Sequence, residues 1–197
     1  AGVLVALFGI GTMTQVNAIT GALKTSFQLS PQVASLVIAG IVSAVIFGGI
    51  HWISKVSEKV VPFMAAAYIF ATVYIIVLNM DQVPTVLSQV FQGAFTGTAA
   101  IGGFSGALVK EAIQKGVARG VFSNESGLGS APIAAAAAKT EEPVEQGLIS
   151  MTGTFIDTII ICSLTGLAIL VSGQWTTVGQ VGSDLTQQVF ISTFGHI

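Results

Sequence analysis

The stretch "AAIGGFSGAL", Ala99 to Leu108, decides how this chain folds. It lies inside an apolar run, yet Gly102, Gly103 and Gly106 crowd into five positions. Glycine in a helix interior costs about 1 kcal/mol against alanine, so the run weakens a helix where one is most needed. Backbone that leaves the helix at membrane depth is tolerated only where it is buried in protein or lines a water-filled cavity. On spacing alone two readings stay open. Small residues let membrane helices approach closely, or the break is a site whose half-helix end receives a carboxylate and whose freed carbonyls receive a cation. Phe104, beside the glycine pair, closes such a site or simply packs, and Thr96 and Thr98 add hydroxyl oxygens next to it.

The composition sets the class. Of 197 residues 52% are hydrophobic and 8% charged, against roughly 25% charged in a soluble domain. This is the composition of a membrane protein. A net charge of −2 with no basic cluster on a soluble face argues against nucleic-acid partners. The sole cysteine, Cys162, lies in an apolar run, so neither a disulfide framework nor a cysteine metal site can form within the chain. The opening "AGVLVALFGIG" lacks the basic flank and cleavage site of a signal peptide. It reads as the interior of a hydrophobic span, and the chain as a piece of a longer polypeptide.

Crossing about 30 Å of hydrocarbon takes about 20 helical residues. Five segments qualify, near residues 2–23, 33–50, 60–78, 95–113 and 147–171, with an inner loop over 114–146 and an outer segment over 172–197. The expected fold is therefore an all-α membrane protein of about five transmembrane helices in a single domain. Ser30 is a fitting N-cap with Pro31 in the first helical position. "HWISKVSEKV" and "NMDQVPT" read as the next polar breaks. Lys55, Lys59, Lys110, Lys115, Arg119 and Lys139 fall on one side by alternation and Lys24 alone on the other, so the positive-inside bias points the first span outward. From Val83 to Phe95 the apolar residues follow one helical face, with Pro84 in the first turn, the pattern of an interfacial helix. After Val171 the polar stretch cannot span; Ser183 or Asp184 is expected to cap a short helix burying Leu185 and Val189. "IAAAAAK", Ile133 to Lys139, reads as a helical turn or two.

Three further stretches carry chemistry. In "GIGTMTQVN" Gln15 shares a face with Gly11, Thr12 and Ile19; its amide suits a small polar solute or an interhelical hydrogen bond, and Asn17 points elsewhere. In "SMTGTFIDTIIIC" Ser150, Gly153, Thr154 and Asp157 form a polar stripe. An ionisable group at that depth serves cation coupling or orders the bundle. In "ARGVFSNESGLGSAP" Gly120, Gly127 and Gly129 permit positive φ and the polar residues bond back to the backbone, giving a structured inner turn in which Arg119 could pair with Glu125 or Glu111. No Lys-Ser/Thr follows the glycines, so this is not a nucleotide loop. Gly103-Phe104-Ser105-Gly106 also matches the G-x-S-G pattern of intramembrane serine proteases. A serine nucleophile needs a base, and His51 and His196 both lie at helix ends, away from the depth of Ser105.

Taken together these stretches resemble the alanine or glycine:cation symporter family, the sodium:alanine symporters. "GVARGVFSNESGLGSAP", Gly116 to Pro132, resembles the family's R-G-x-F-S-N-E-x-G-x-G-S-A-P loop at Arg119, Gly120, Phe122, Ser123, Asn124, Glu125, Gly127, Gly129, Ser130, Ala131 and Pro132. "GTFIDTIIIC", "EKVVPFMAAAY" and "GGFSGA" match as well. Thr12, where asparagine is expected, and Ala135, where histidine is usual, depart from the pattern. The resemblance implies a leucine-transporter-type fold of two inverted five-helix repeats, in which this chain supplies the middle. It implies that Gln15, Thr12 and the backbone of Gly102, Gly103, Phe104 and Ser105 face a small neutral amino acid. It further implies sodium as the coupling ion, held mainly by residues outside this chain, with no cofactor, no resident metal and no catalytic residue. Thr96, Thr98, Thr154 and Asp157 are then possible ion or bundle sites, and Arg119, Asn124 and Glu125 the inner-loop motif. The expected location is the cell's inner membrane, as a multi-pass protein in the lipid bilayer. A rival reading is a non-transporting sensor or scaffold of the same fold.

Overall fold

The computed structural model describes residues 11–95, 104–125, 135–136, 138–176 and 182–195. Among these the chain is helical throughout, with no strand. The helices are α1 (Gly11–Phe27), α2 (Pro31–Phe47), α3 (Gly49–Leu78), α4 (Val83–Phe95), α5 (Phe104–Ser123), α6 (Pro143–Phe155), α7 (Ser163–Val171) and α8 (Ser183–Phe194). A π-helical segment, Ile156–Cys162, joins α6 to α7, and 3₁₀ turns occupy Met80–Gln82 and Gln174–Thr176. Two of the described helical rods, Gly49–Leu78 and Pro143–Val171, are long and apolar enough to cross a membrane, and Pro31–Phe47 is a shorter apolar helix. Only 11% of an apolar 18-residue window in either rod is buried within the chain. A soluble core helix of that composition would be covered by its own domain, so these helices need lipid or further protein around them.

The chain divides into two compact units, Ala1–Ile75 with Ser172–Ile197, and Ile76–Val171. In the first, α1 packs on α2 and on α8. Ser30 caps α2 as its sequence demands: the Val33 N–H donates to Ser30 Oγ at 3.4 Å, with Pro31 in the first turn. Ala34 and Val189 are buried where the helices meet. Phe190 of α8 lies 5.7 Å from the ring of Tyr68 and 6.0 Å from Phe194, which in turn stacks on Tyr74 at 5.6 Å. Such ring pairs contribute beyond their buried area, and they hold α8 against α3.

Two expectations fail in this unit. "HWISKVSEKV" is not a break, because α3 runs unbroken from Gly49 with Pro62 in its interior. Lysine and glutamate are good helix formers, so polarity ends a membrane span without ending the helix. The chain turns instead at Gly48 and Gly49, the latter at φ +74, a left-handed conformation open to glycine. Nor is α8 capped by Ser183 or Asp184. Gly182, at φ +65, is the cap residue, Val189 is buried as expected and Leu185 only half so.

In the second unit α4 starts at Val83, where its apolar spacing begins, and packs on α7, burying Val86, with Ala168 and Val171 buried on α7. Helix α5 continues to Ser123, ten residues past the expected end of the fourth span. Gly120 is thus inside the helix, and among the described residues of this region the positive φ belongs to Glu125 at +50, Gly127 and Gly129 lying outside the described residues. Of "IAAAAAK" the described part shows a single turn, with the Ala138 N–H donating to Ala135 O at 3.0 Å. Asp157 and the run of isoleucines after it lie in the π segment. β-Branched side chains crowd the preceding turn of an α-helix, and a π turn, frequent at functional sites, widens that spacing.

Candidate functional site

The most developed polar arrangement joins the end of α5 to the π segment. Ser123 Oγ donates to Asp157 Oδ2 at 2.6 Å and lies 3.5 Å from Cys162 Sγ. Next to it the Asn124 amide brackets Thr158: Nδ2 donates to Thr158 Oγ1 at 2.8 Å, and that hydroxyl donates to Asn124 Oδ1 at 3.1 Å. Asn124 Nδ2 also donates to Gly120 O at 3.0 Å, closing the last turn of α5. Just past the π segment Ser163 Oγ, at the start of α7, donates to Thr158 O at 3.5 Å, five residues back. Two residues of the "FSNE" motif thus meet two residues of "FIDTII" across 34 positions of chain. The hydroxyl and the amide satisfy the carboxylate and the threonine, groups that apolar surroundings would otherwise penalise.

A second feature lies in the first unit. Thr12, Met13, Val16, Asn17 and Thr20 of α1 face Pro31, Gln32 and Ser35 at the start of α2 across a groove of about 450 Å³. Thr20 is buried, its hydroxyl donating to Val16 O at 2.9 Å and Asn17 O at 3.0 Å. Of the expected solute contacts Thr12 lines this groove, whereas Gln15 is an exposed residue of α1 outside its lining. Asn17, expected to point elsewhere, lines it too. Gly102, Gly103, Thr96 and Thr98 lie outside the described residues, and Phe104 and Ser105 belong to α5. Thr154 is exposed and its hydroxyl donates back to Ser150 O at 3.2 Å. Arg119 and Glu125 are exposed at the end of α5, with Asn124 half-buried between them.

The profile of the sodium:alanine symporter family matches residues 1–197, the full length of the chain. The chain belongs to the sodium:alanine symporter family. A protein of Haemophilus influenzae described as an uncharacterized transporter is 50% identical over 194 residues, 98% of this chain and 42% of that protein. The sodium/alanine symporter AgcS of Methanococcus maripaludis is 49% identical over 168 residues, 85% of this chain and 36% of the symporter. The probable sodium/glutamine symporter GlnT of Bacillus subtilis is 40% identical over 181 residues, 92% of this chain and 37% of that protein. The chain therefore spans about two fifths of the length of the relatives it matches. Members of the sodium:alanine symporter family are transporters rather than enzymes, which disposes of the protease reading of Gly103 to Gly106.

The pairing of Ser123 and Asn124 with Asp157 and Thr158 is what sequence reasoning missed. Each half was visible as a motif, but only the fold supplies their meeting. The one local signal was the β-branched run after Asp157, which disfavours a regular helix there.

Proposed function

We propose that this chain is the central segment of a sodium-coupled symporter that carries a small neutral amino acid, alanine or glycine, across the cell's inner membrane by alternating access. The observation that carries this reading is the 49% identity to a sodium/alanine symporter, sustained over 85% of the chain. In this reading the chain contributes five spans of a leucine-transporter-type inverted repeat, its basic loops facing inward. The glycine-rich break at Gly102 and Gly103 is the unwound backbone that meets the solute's carboxylate and ammonium groups, as broken helices do near the bilayer midplane. Gln15, Thr12 and the Ser105 backbone complete that contact, and Phe104 limits the size of the side chain admitted. Sodium supplies the driving force, its principal ligands lying on helices beyond this chain.

The test is uptake of radiolabelled alanine into proteoliposomes containing the full-length protein, with and without an inward sodium gradient, for wild type and Gln15→Ala. Uptake that requires the gradient and collapses in the variant supports the symporter and the Gln15 contact together. Uptake indifferent to sodium removes sodium coupling. Absence of uptake of any small amino acid by folded protein favours a sensor or scaffold.

A further inference from the structure

Both Asp157 and Cys162 approach the same hydroxyl, that of Ser123. In an α-helix this is impossible: residues five apart are about 140° apart around the axis at 3.6 residues per turn. It is possible here because Ile156–Cys162 is π-helical, and a π turn returns to the same face after about five residues. The contact with α5 and the π register are therefore one feature. A segment relaxed to α-helical geometry would keep Asp157 near Ser123 only by turning Cys162 away and bringing Ile161, four residues on, to that face. Thr158 reinforces the coupling, because its side chain is held by Asn124 and its carbonyl by Ser163. The tie joins the last turn of α5, the helix that follows the glycine-rich break, to the middle of the rod Pro143–Val171.

We propose that Ser123 and Asp157 are positioning residues of the transport cycle: their contact holds the π turn in register in one state, and movement of α5 releases it in another. The proposal rests on the transport reading above. An element with two discrete arrangements, biased by solute at one end, is what carries coupling through packed helices. The solute need not touch Asp157. It need only bind the two states of α5 with different affinity.

The native Cys162 makes the register measurable. In a full-length protein whose sole other cysteine is introduced as Ser123→Cys, the new thiol keeps an S–H donor for Asp157 in place of the hydroxyl. A mild copper oxidant should join positions 123 and 162, since the atoms now 3.5 Å apart need close by only about 1.5 Å to reach disulfide distance. A companion protein carries Ser123→Cys, Ile161→Cys and Cys162→Ser and reports the α register. Without solute the 123–162 link should form faster than the 123–161 link. Sodium with alanine should change the ratio of the two rates at least about fivefold, the low end of ordinary coupling. A ratio that ignores sodium and alanine in a protein that transports overturns the proposal and leaves the transport reading standing. A folded reference protein that transports no amino acid overturns both. Independently, Asp157→Ala should lower the maximal uptake rate with KM unchanged, and Asp157→Asn, which keeps an acceptor oxygen for Ser123, should recover most of it. Wild-type uptake by Asp157→Ala, or an effect on KM alone, counts against the proposal.

Discussion

Removing the Asn124 amide tests whether the end of α5 binds the π segment energetically or merely lies beside it. Asn124→Ala deletes the two contacts with Thr158 and the one with Gly120 O. Thr158→Val deletes only the contacts with Asn124 at nearly constant volume. In a double-mutant cycle the Gly120 contribution therefore cancels and the Asn124–Thr158 coupling remains. Polar contacts between membrane helices average about 0.6 kcal/mol and reach about 1.7. Two such contacts on one amide give a coupling of about 1 kcal/mol, above the ~0.3–0.5 kcal/mol within which independent sites add. The single Asn124→Ala variant should cost somewhat more, because it also removes the side-chain bond to Gly120 O, which keeps the backbone N–H of residue 124 at 3.1 Å. The assay is reversible unfolding of the full-length protein in mixed micelles, titrated with a denaturing detergent, for wild type, both single variants and the double variant. A coupling below about 0.3 kcal/mol would refute the reasoning. The two motifs would then be neighbours without being partners.

The first unit yields three further expectations. Ser30→Ala should destabilise by about 0.5–1 kcal/mol through loss of the cap on α2, and Ser30→Gly by only a few tenths; the same detergent titration ranks them. Gly49→Ala meets no atom within 4 Å, so its expected cost of about 1–2 kcal/mol comes wholly from the left-handed backbone. Gly48→Ala would instead place Cβ 2.5 Å from the Trp52 ring and should shift the tryptophan emission. Phe190→Ala removes two ring contacts worth about 0.5–1.5 kcal/mol each beyond area; faster hydrogen exchange over Ser183–Phe194, with α2 unaffected, is the expected signature.

What the sequence made legible follows from which forces are local. The start of helix α4 could be read because its apolar face repeats at helical spacing and Pro84 falls in its first turn. Ser30 could be assigned as a cap because capping acts across three residues. The start of α3 was misplaced because a polar stretch of good helix formers leaves a lipid span without leaving the helix. Gly48 and Gly49, which make the real turn, carry no polarity signal. The π turn changes neither composition nor length, so "FIDTIIIC" reads as plain helix until the hydrogen bonds are seen. Among the candidate site residues Thr12 lines a groove without Gln15, with which it shares a helical face, and Asn17 joins it because α2 approaches α1 from a direction no local pattern encodes. The meeting of Ser123 with Asp157 depends on chain closure over 34 residues, and no short-range rule reaches that far.

The central claim is coupling, and its most direct measurement reverses the usual experiment. Proteoliposomes containing the full-length protein are loaded with equal sodium on both sides, and an inward alanine gradient is imposed while entry of radiolabelled sodium is followed. The account predicts alanine-driven sodium entry that is lost in Gln15→Ala; alanine entry with no accompanying sodium would contradict it.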